Sequence, residues 1–82
     1  MAKHSQRYWL SFSGESVKRP LIWEMSKKFD LIFNIRNASV TEQIGLIALE
    51  LTGKQETIEA ALKWLHKKGV QVDPIELGVM AG

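Results

Sequence analysis

The sequence predicts an α+β sandwich in which two helices cover one face of a four-stranded antiparallel sheet. Four segments carry apolar residues at every second position, the period of a strand with one buried face. Two other segments carry apolar residues at helical spacing. The order along the chain is strand, helix, strand, strand, helix, strand, and a short polar turn joins the middle two strands.

The first strand and the first helix are defined by alternation and by helix-end chemistry. Between Arg7 and Ser13, apolar and polar residues alternate, and Trp9 lies on the less apolar face. A Ser-Gly-Glu-Ser turn follows. Pro20 suits the first turn of a helix, where its missing N–H costs nothing. Lys27-Lys28 suits the last turn, where cations complement the helix dipole.

The middle of the chain is predicted to be a β-hairpin. Residues 31–37 and 44–52 alternate as strands, and the polar segment 37–43 is the expected turn. We expect Ile35 to face the helices and Asn34 to face the other way. Gly45, near the start of the second strand, indicates a bulge or a close backbone approach.

The second helix has the strongest sequence signals. Thr52 and Gln55 have the spacing of a capping box, and Gly69 after a lysine pair is a helix stop. The final strand, from Val70, is expected to end or lie at a sheet edge near Pro74, which lacks a donor. The helix carries an apolar stripe at i, i+3, i+4 and i+7 spacing: Ile58, Ala61, Leu62 and Leu65.

Two strand–helix–strand units joined by a hairpin form the split βαβ, or ferredoxin-like, sandwich. Both helices then lie on one side of the sheet. The other side, the open face, mixes apolar and polar side chains, which often marks a partner or ligand site. Its predicted members are Trp9, Ser11, Ile32, Asn34, Arg36, Leu46, Ala48, Glu50, Gln71 and Asp73.

Size and composition define the class of protein. The 82 residues predict one domain at 7–76, with an N-terminal tail at 1–6 and a C-terminal tail at 77–82. There is no cysteine, the net charge is only +2, and no apolar run approaches the roughly 18 residues of a membrane span. We expect a cytoplasmic location and no membrane insertion.

No catalytic or cofactor motif emerges from the residue spacing. The serines lack a paired base, the two histidines lack metal-ligand spacing, and Gly53-Lys54 lacks the rest of a phosphate loop. The third strand has no stacking aromatic residue, which argues against nucleic-acid binding. The sequence therefore predicts a protein that is not an enzyme, has no cofactor or metal, and does not bind nucleic acid.

The candidate ligand-binding residues are Asn34 and Arg36, and each has an ordinary alternative. Asn34 is either a carboxamide that reads a ligand's amino or carboxylate group or a plain exposed strand residue. Arg36 either holds a carboxylate or pairs with Glu50 across the strands. The candidate interface residues for a protein partner are Trp9, Leu46 and Ala48.

Several segments resemble the NIL domain, named for an Asn-Ile-Leu motif and found at the C-terminus of methionine-importer ABC ATPases. The resemblance covers residues 7–75 and rests on the order of short matches. These are Leu10-x-Phe12-x-Gly14, Asn34-Ile35, Gly45-x-x-x-x-Glu50-Leu51-x-Gly53, and Ala60-Ala61-Leu62-x-Trp64-Leu65 followed by Gly69-Val70-x-Val72.

The resemblance implies a ferredoxin-like domain related to amino-acid-binding regulatory domains, which commonly form homodimers. In the transporter ATPases, methionine binds such a domain and restrains uptake, and Asn34 matches the motif asparagine of the ligand-binding region. Ile35 matches as a core residue, and Arg36 stands at the motif's leucine. The expected function is a non-catalytic regulatory module that senses methionine or a related sulfur amino acid. The alternative is a protein-interaction module that docks on an enzyme or transporter.

Overall fold

The structure, a computed structural model, describes residues 4–75 and confirms the ferredoxin-like α+β fold. The sheet has the strand order β2-β3-β1-β4, and every neighbouring pair is antiparallel. The elements are β1 (His4–Ser13), α1 (Glu15–Lys18), α2 (Leu21–Lys28), β2 (Ile32–Val40), β3 (Ile44–Gly53), α3 (Gln55–Lys67) and β4 (Gln71–Ile75).

The core lies between the sheet and helices α2 and α3. Leu10 of β1 and Leu49 of β3 are fully buried at the centre of the sheet. Burial of each such side chain contributes roughly 1.5–3 kcal/mol, which offsets the conformational entropy lost by so short a chain. The other large side chains that are fully buried come from both helices, from β3 and from the residue before β4: Leu21, Met25, Leu51, Ile58, Leu65 and Val70.

Two features near the N-terminus differ from the sequence-based expectation. Strand β1 begins at His4, three residues before the predicted start at Arg7. The expected Ser-Gly-Glu-Ser turn leads into a one-turn helix, α1, after Gly14, whose φ of 60° suits glycine. The Ser16 hydroxyl, buried here, accepts a hydrogen bond from the Ser13 N–H at 2.9 Å and donates to the Ser13 carbonyl at 2.7 Å.

The turn of the central hairpin is shorter than predicted. Strand β2 continues to Val40, so residues 37–40 are strand and only residues 41–43 form the turn. Thr41 closes it, because its hydroxyl oxygen accepts hydrogen bonds from the N–H groups of Gln43 (3.2 Å) and Ile44 (3.1 Å). The Thr41 hydroxyl thus stabilises the turn by hydrogen bonding to the backbone of the residues that follow it.

The predicted capping box is wrong. Thr52 belongs to β3, and its hydroxyl lies 2.7 Å from the Ser5 hydroxyl on the neighbouring strand. Helix α3 starts after Lys54, with no side-chain cap hydrogen bond.

The expected core position of Ile35 also needs correction. Ile35 pairs with Leu49 and so lies on the helix side of the sheet, yet 54% of its surface is exposed. Strand β2 is an edge strand, and the helices leave this position uncovered.

Candidate functional site on the open sheet face

The open face confirms the predicted alternation of strand residues. Cross-strand partners place their side chains on the same face of a sheet. Asn34 of β2 pairs with Glu50 of β3, which pairs with Arg7 of β1. The next row runs through Ala48 and Trp9. Asn34 and Glu50 are therefore neighbours near one end of the open face.

A bulge in β2 sets the position of Arg36. Ile35 pairs with Leu49 and Asn37 pairs with Ala48, so Arg36 is the extra residue. A bulge locally bends its strand and re-aims side chains. The Arg36 side chain lies over the open face, where its Nη1 is 3.7 Å from Glu50 Oε1. Gly45 itself pairs regularly with Val40 and Phe12, so the bulge that was one of the two expectations for this residue does not occur there.

Glu50 lies between two arginines. Its Oε2 is 3.8 Å from Arg7 Nε, and its Oε1 faces Arg36. Both separations exceed hydrogen-bonding distance, so the attraction is Coulombic. Arg7 Nε is buried and has no hydrogen-bond partner among residues 4–75. This charge cluster of Arg7, Arg36 and Glu50 carries a formal net charge of +1, from two cations and one anion.

Asn34 and Arg36 both lie beside Glu50 on the open face, Asn34 as its cross-strand partner and Arg36 through the ion pair. Trp9 is half-buried between Ala48 and Asp73 on the neighbouring strands. Leu46 is 41% exposed, whereas Ala48 is 4% exposed and offers a partner almost no surface.

Sequence reasoning missed Arg7 as a site residue. The alternation of β1 puts Arg7 on the same face as Trp9, and this signal was sufficient to find it. Its contact with Glu50 depends on the register between β1 and β3, which only the structure supplies.

Two guanidinium groups, a carboxylate and a carboxamide give this site ion-pairing and hydrogen-bonding groups for a ligand. Among residues 4–75, no group of three or more His, Cys, Asp or Glu side chains could hold a metal ion. No helix in that range is long and apolar enough to cross a membrane.

The fold and the open face define a small ferredoxin-like domain with a charged, partly apolar sheet surface. The NIL domain family model matches residues 6–74, and the chain belongs to this family. It is 36% identical over 74 residues to the methionine import ATP-binding protein MetN 2 of Acinetobacter baylyi, covering 85% of this chain and 22% of that protein.

Two further relatives are also methionine import ATP-binding proteins. The Cupriavidus pinatubonensis MetN is 33% identical over 84% of this chain and 21% of its own length. The Escherichia coli K12 MetN is 32% identical over 78% of this chain and 20% of its own length. The chain thus spans about a fifth of the length of these methionine import ATP-binding proteins.

Proposed function

We propose that this protein is a non-catalytic regulatory module that acts in the cytoplasm as a homodimer. Its ligand is a small α-amino acid, methionine or a related sulfur amino acid, which contacts Asn34 and Arg36 on the open face. Family membership supports a regulatory or ligand-sensing role in general. The relatives named for methionine import support the choice of amino acid.

The observation that carries the proposal is the charge cluster. Two guanidinium groups share one carboxylate, and Arg7 Nε lacks a hydrogen-bond partner among the described residues. Two cations against one anion leave the cluster with excess positive charge, and the Arg7 and Arg36 side chains are both partly exposed, so an incoming carboxylate could bond their accessible guanidinium nitrogens. Arginine is well suited to that role, because its planar fork of donors matches a carboxylate.

The same cluster can hold the other half of an α-amino acid. The Glu50 carboxylate and the Asn34 carboxamide oxygen both accept hydrogen bonds, and both lie in one cross-strand row. The ligand's ammonium group could donate hydrogen bonds to Glu50 and Asn34. The ligand's carboxylate would at the same time accept hydrogen bonds from the two arginines. The exposed side chain of Ile32, two residues before Asn34 on the same face, offers an apolar contact for the ligand's side chain.

The ligand proposal is tested by calorimetric titration with methionine, homocysteine and, for specificity, glutamate. We expect the sulfur amino acids to bind and Asn34→Ala to weaken their binding at least tenfold, which corresponds to about 1.4 kcal/mol. Ser39→Ala, on the same strand and face, is the control and should leave the affinity unchanged. Equal binding by Asn34→Ala, or no heat with either sulfur amino acid, would refute the proposal.

A protein-interaction module without a small ligand is the second candidate. The exposed Leu46 and half-buried Trp9 favour it, and they stay the predicted contacts of such a partner. The charge cluster favours the amino acid, because an unpaired guanidinium donor calls for an anionic group rather than an apolar surface.

A further inference from the structure

A second concave surface lies on the helix side of the sheet, beside the turn of the central hairpin. It is a cleft of about 130 Å³ between the α1–α2 segment and the inner face of β2 and β3. Its walls are mainly apolar and include Phe12, Val17, Pro20, Trp23, Val40 and Ile47. We call it the Gly45 cleft, because Gly45 of β3 is also part of its lining.

Gly45 leaves open a space that the fold could fill. A Cβ built on Gly45 would meet Phe12 Cβ at 3.6 Å and Val40 Cγ2 at 3.7 Å, which are ordinary contacts. Its φ is not in the left-handed region, so neither sterics nor backbone conformation requires glycine. Glycine weakens the interior of a strand, and its presence there often marks the close approach of a ligand or another backbone.

Gly53, on the same strand, shows the opposite case. A Cβ at Gly53 would lie 2.5 Å from Leu31 Cδ2 and 3.4 Å from the Asp30 carbonyl oxygen. The packing of the protein itself therefore explains this glycine. At Gly45 the packing gives no such reason for a glycine, and the cleft lies beside this residue.

The cleft has the size and character of a pocket for a small apolar group. An apolar cavity of roughly 150 Å³ holds a molecule as large as benzene. A volume of about 130 Å³ therefore suits a group of about four to six heavy atoms. The two polar side chains of its lining already have partners: the Ser16 hydroxyl is bonded to the Ser13 backbone, and the Arg19 guanidinium donates to Glu24 at 2.8 Å.

A polar depression adjoins the cleft and shares Val17 and Val40 with it. The remaining residues of the depression are Lys18, Thr41, Glu42 and Gln43. It therefore offers one cation and one anion next to an apolar pocket. Neither Lys18 nor Glu42 forms an ion pair with another residue of the range 4–75.

We propose that the Gly45 cleft is a second amino-acid site, which takes an unbranched thioether or alkyl side chain. The carboxylate and ammonium groups of the amino acid lie in the adjoining depression, against Lys18 and Glu42. The site lies on the opposite side of the sheet from Asn34. This proposal depends on the proposed function in one respect only, the choice of an amino acid as the ligand.

The cleft is tested first with methyl propyl sulfide, a neutral probe that lacks the charged groups which the open-face cluster would bind. In ¹H–¹⁵N spectra of the full chain, the probe should shift the amide signals of Phe12, Val40 and Gly45. Gly45→Val should abolish these shifts by filling the cleft, and Gly45→Ala should reduce them if the valine variant folds poorly. Ala60→Val, on the exposed surface of α3, adds carbon atoms elsewhere and should change nothing.

L-methionine and L-norleucine then test the amino-acid headgroup. Both should shift the same signals, and Lys18→Gln should weaken that effect at least threefold without changing the effect of the neutral sulfide. The proposal that the cleft binds an apolar group would be overturned if the sulfide shifted no signal of the wild-type chain. It would also be overturned if the shifts persisted in Gly45→Val. Sulfide binding with no response to either amino acid would overturn the headgroup assignment. Asn34→Ala tests only the open-face site, and Gly45→Val tests only the cleft. The failure of one proposed site can therefore be told apart from the failure of the other.

Discussion

At the scale of single residues, Gly53 and Gly45 should respond differently to the same added methyl group. Gly53→Ala would force the half-buried Leu31 side chain to move away from the core, because its Cδ2 is only 2.5 Å from the new Cβ. We expect this overpacking, about 1 kcal/mol, to cancel the gain of about 0.5–1 kcal/mol from removing a strand glycine, so that the free energy of unfolding does not rise above the wild-type value.

Gly45→Ala is the matched control, since its Cβ would make only ordinary contacts. Removing a glycine from a strand interior should raise the free energy of unfolding by about 0.5–1 kcal/mol. Urea unfolding of both variants measures the difference. A stabilised Gly53→Ala, or a destabilised Gly45→Ala, would contradict this explanation of the two glycines.

Tyr8 should make the fold sensitive to alkaline pH. Burial, and then the negative charge of Glu59, raise the pKa of the Tyr8 phenol above its usual value of 10.0. The unfolded chain therefore releases this proton at a lower pH than the folded chain does. The stabilisation from neutral Tyr8 is complete below about pH 10 and is lost as the pH rises through the folded-state pKa.

Tyr8→Phe isolates this effect. Its loss of the hydrogen bond that Tyr8 donates to Gln6 should cost about 1 kcal/mol in the free energy of unfolding near pH 8. That deficit relative to the wild-type chain should shrink as the pH increases towards about 11, because phenylalanine has no proton to lose. Urea unfolding at several pH values tests this, and a deficit that stays constant or grows would disprove it.

At the scale of elements, alternation and helical spacing predicted the strand order, the two main helices and the open face. Both patterns reflect the local periodicity of apolar residues, and the burial of side chains along β1 and β3 follows that periodicity. The capping box failed because Thr52 pairs across strands with Ser5 instead of starting α3. The predicted turn was too long because the polar residues Asn37 and Ser39 belong to an exposed edge strand, where polar side chains are acceptable.

The candidate sites were predictable to different extents. Asn34 and Arg36 could be placed on the open face by counting along β2, although the bulge at Arg36 could not. Predicting that β2 lies beside β3 was enough to place both residues near Glu50. The Gly45 cleft was out of reach, because it depends on how the α1–α2 segment packs against the end of the hairpin. Gly45 itself was the one signal visible in the sequence.

At the scale of the whole molecule, the two edges of the sheet are unequal. Strand β4 has five residues and contains Pro74, which cannot donate to a strand partner. Strand β2 has nine residues and exposes more than half the surface of Ile32, Ile35 and Val40. An edge strand of this length with exposed apolar side chains is a template for pairing with another chain. We therefore propose that the homodimer forms through β2.

Ile35→Lys should disrupt that homodimer. The side chain is exposed in the single chain, so the lysine costs the fold little, but it would bring two like charges together where β2 meets its copy. We expect the dimer dissociation constant to rise at least tenfold, measured by size exclusion with light scattering across a concentration series. Ile44→Lys is the control, because Ile44 is 57% exposed but lies on the inner strand β3. A wild-type chain that stays monomeric at high concentration, or equal dissociation by the two variants, would exclude β2 as the interface.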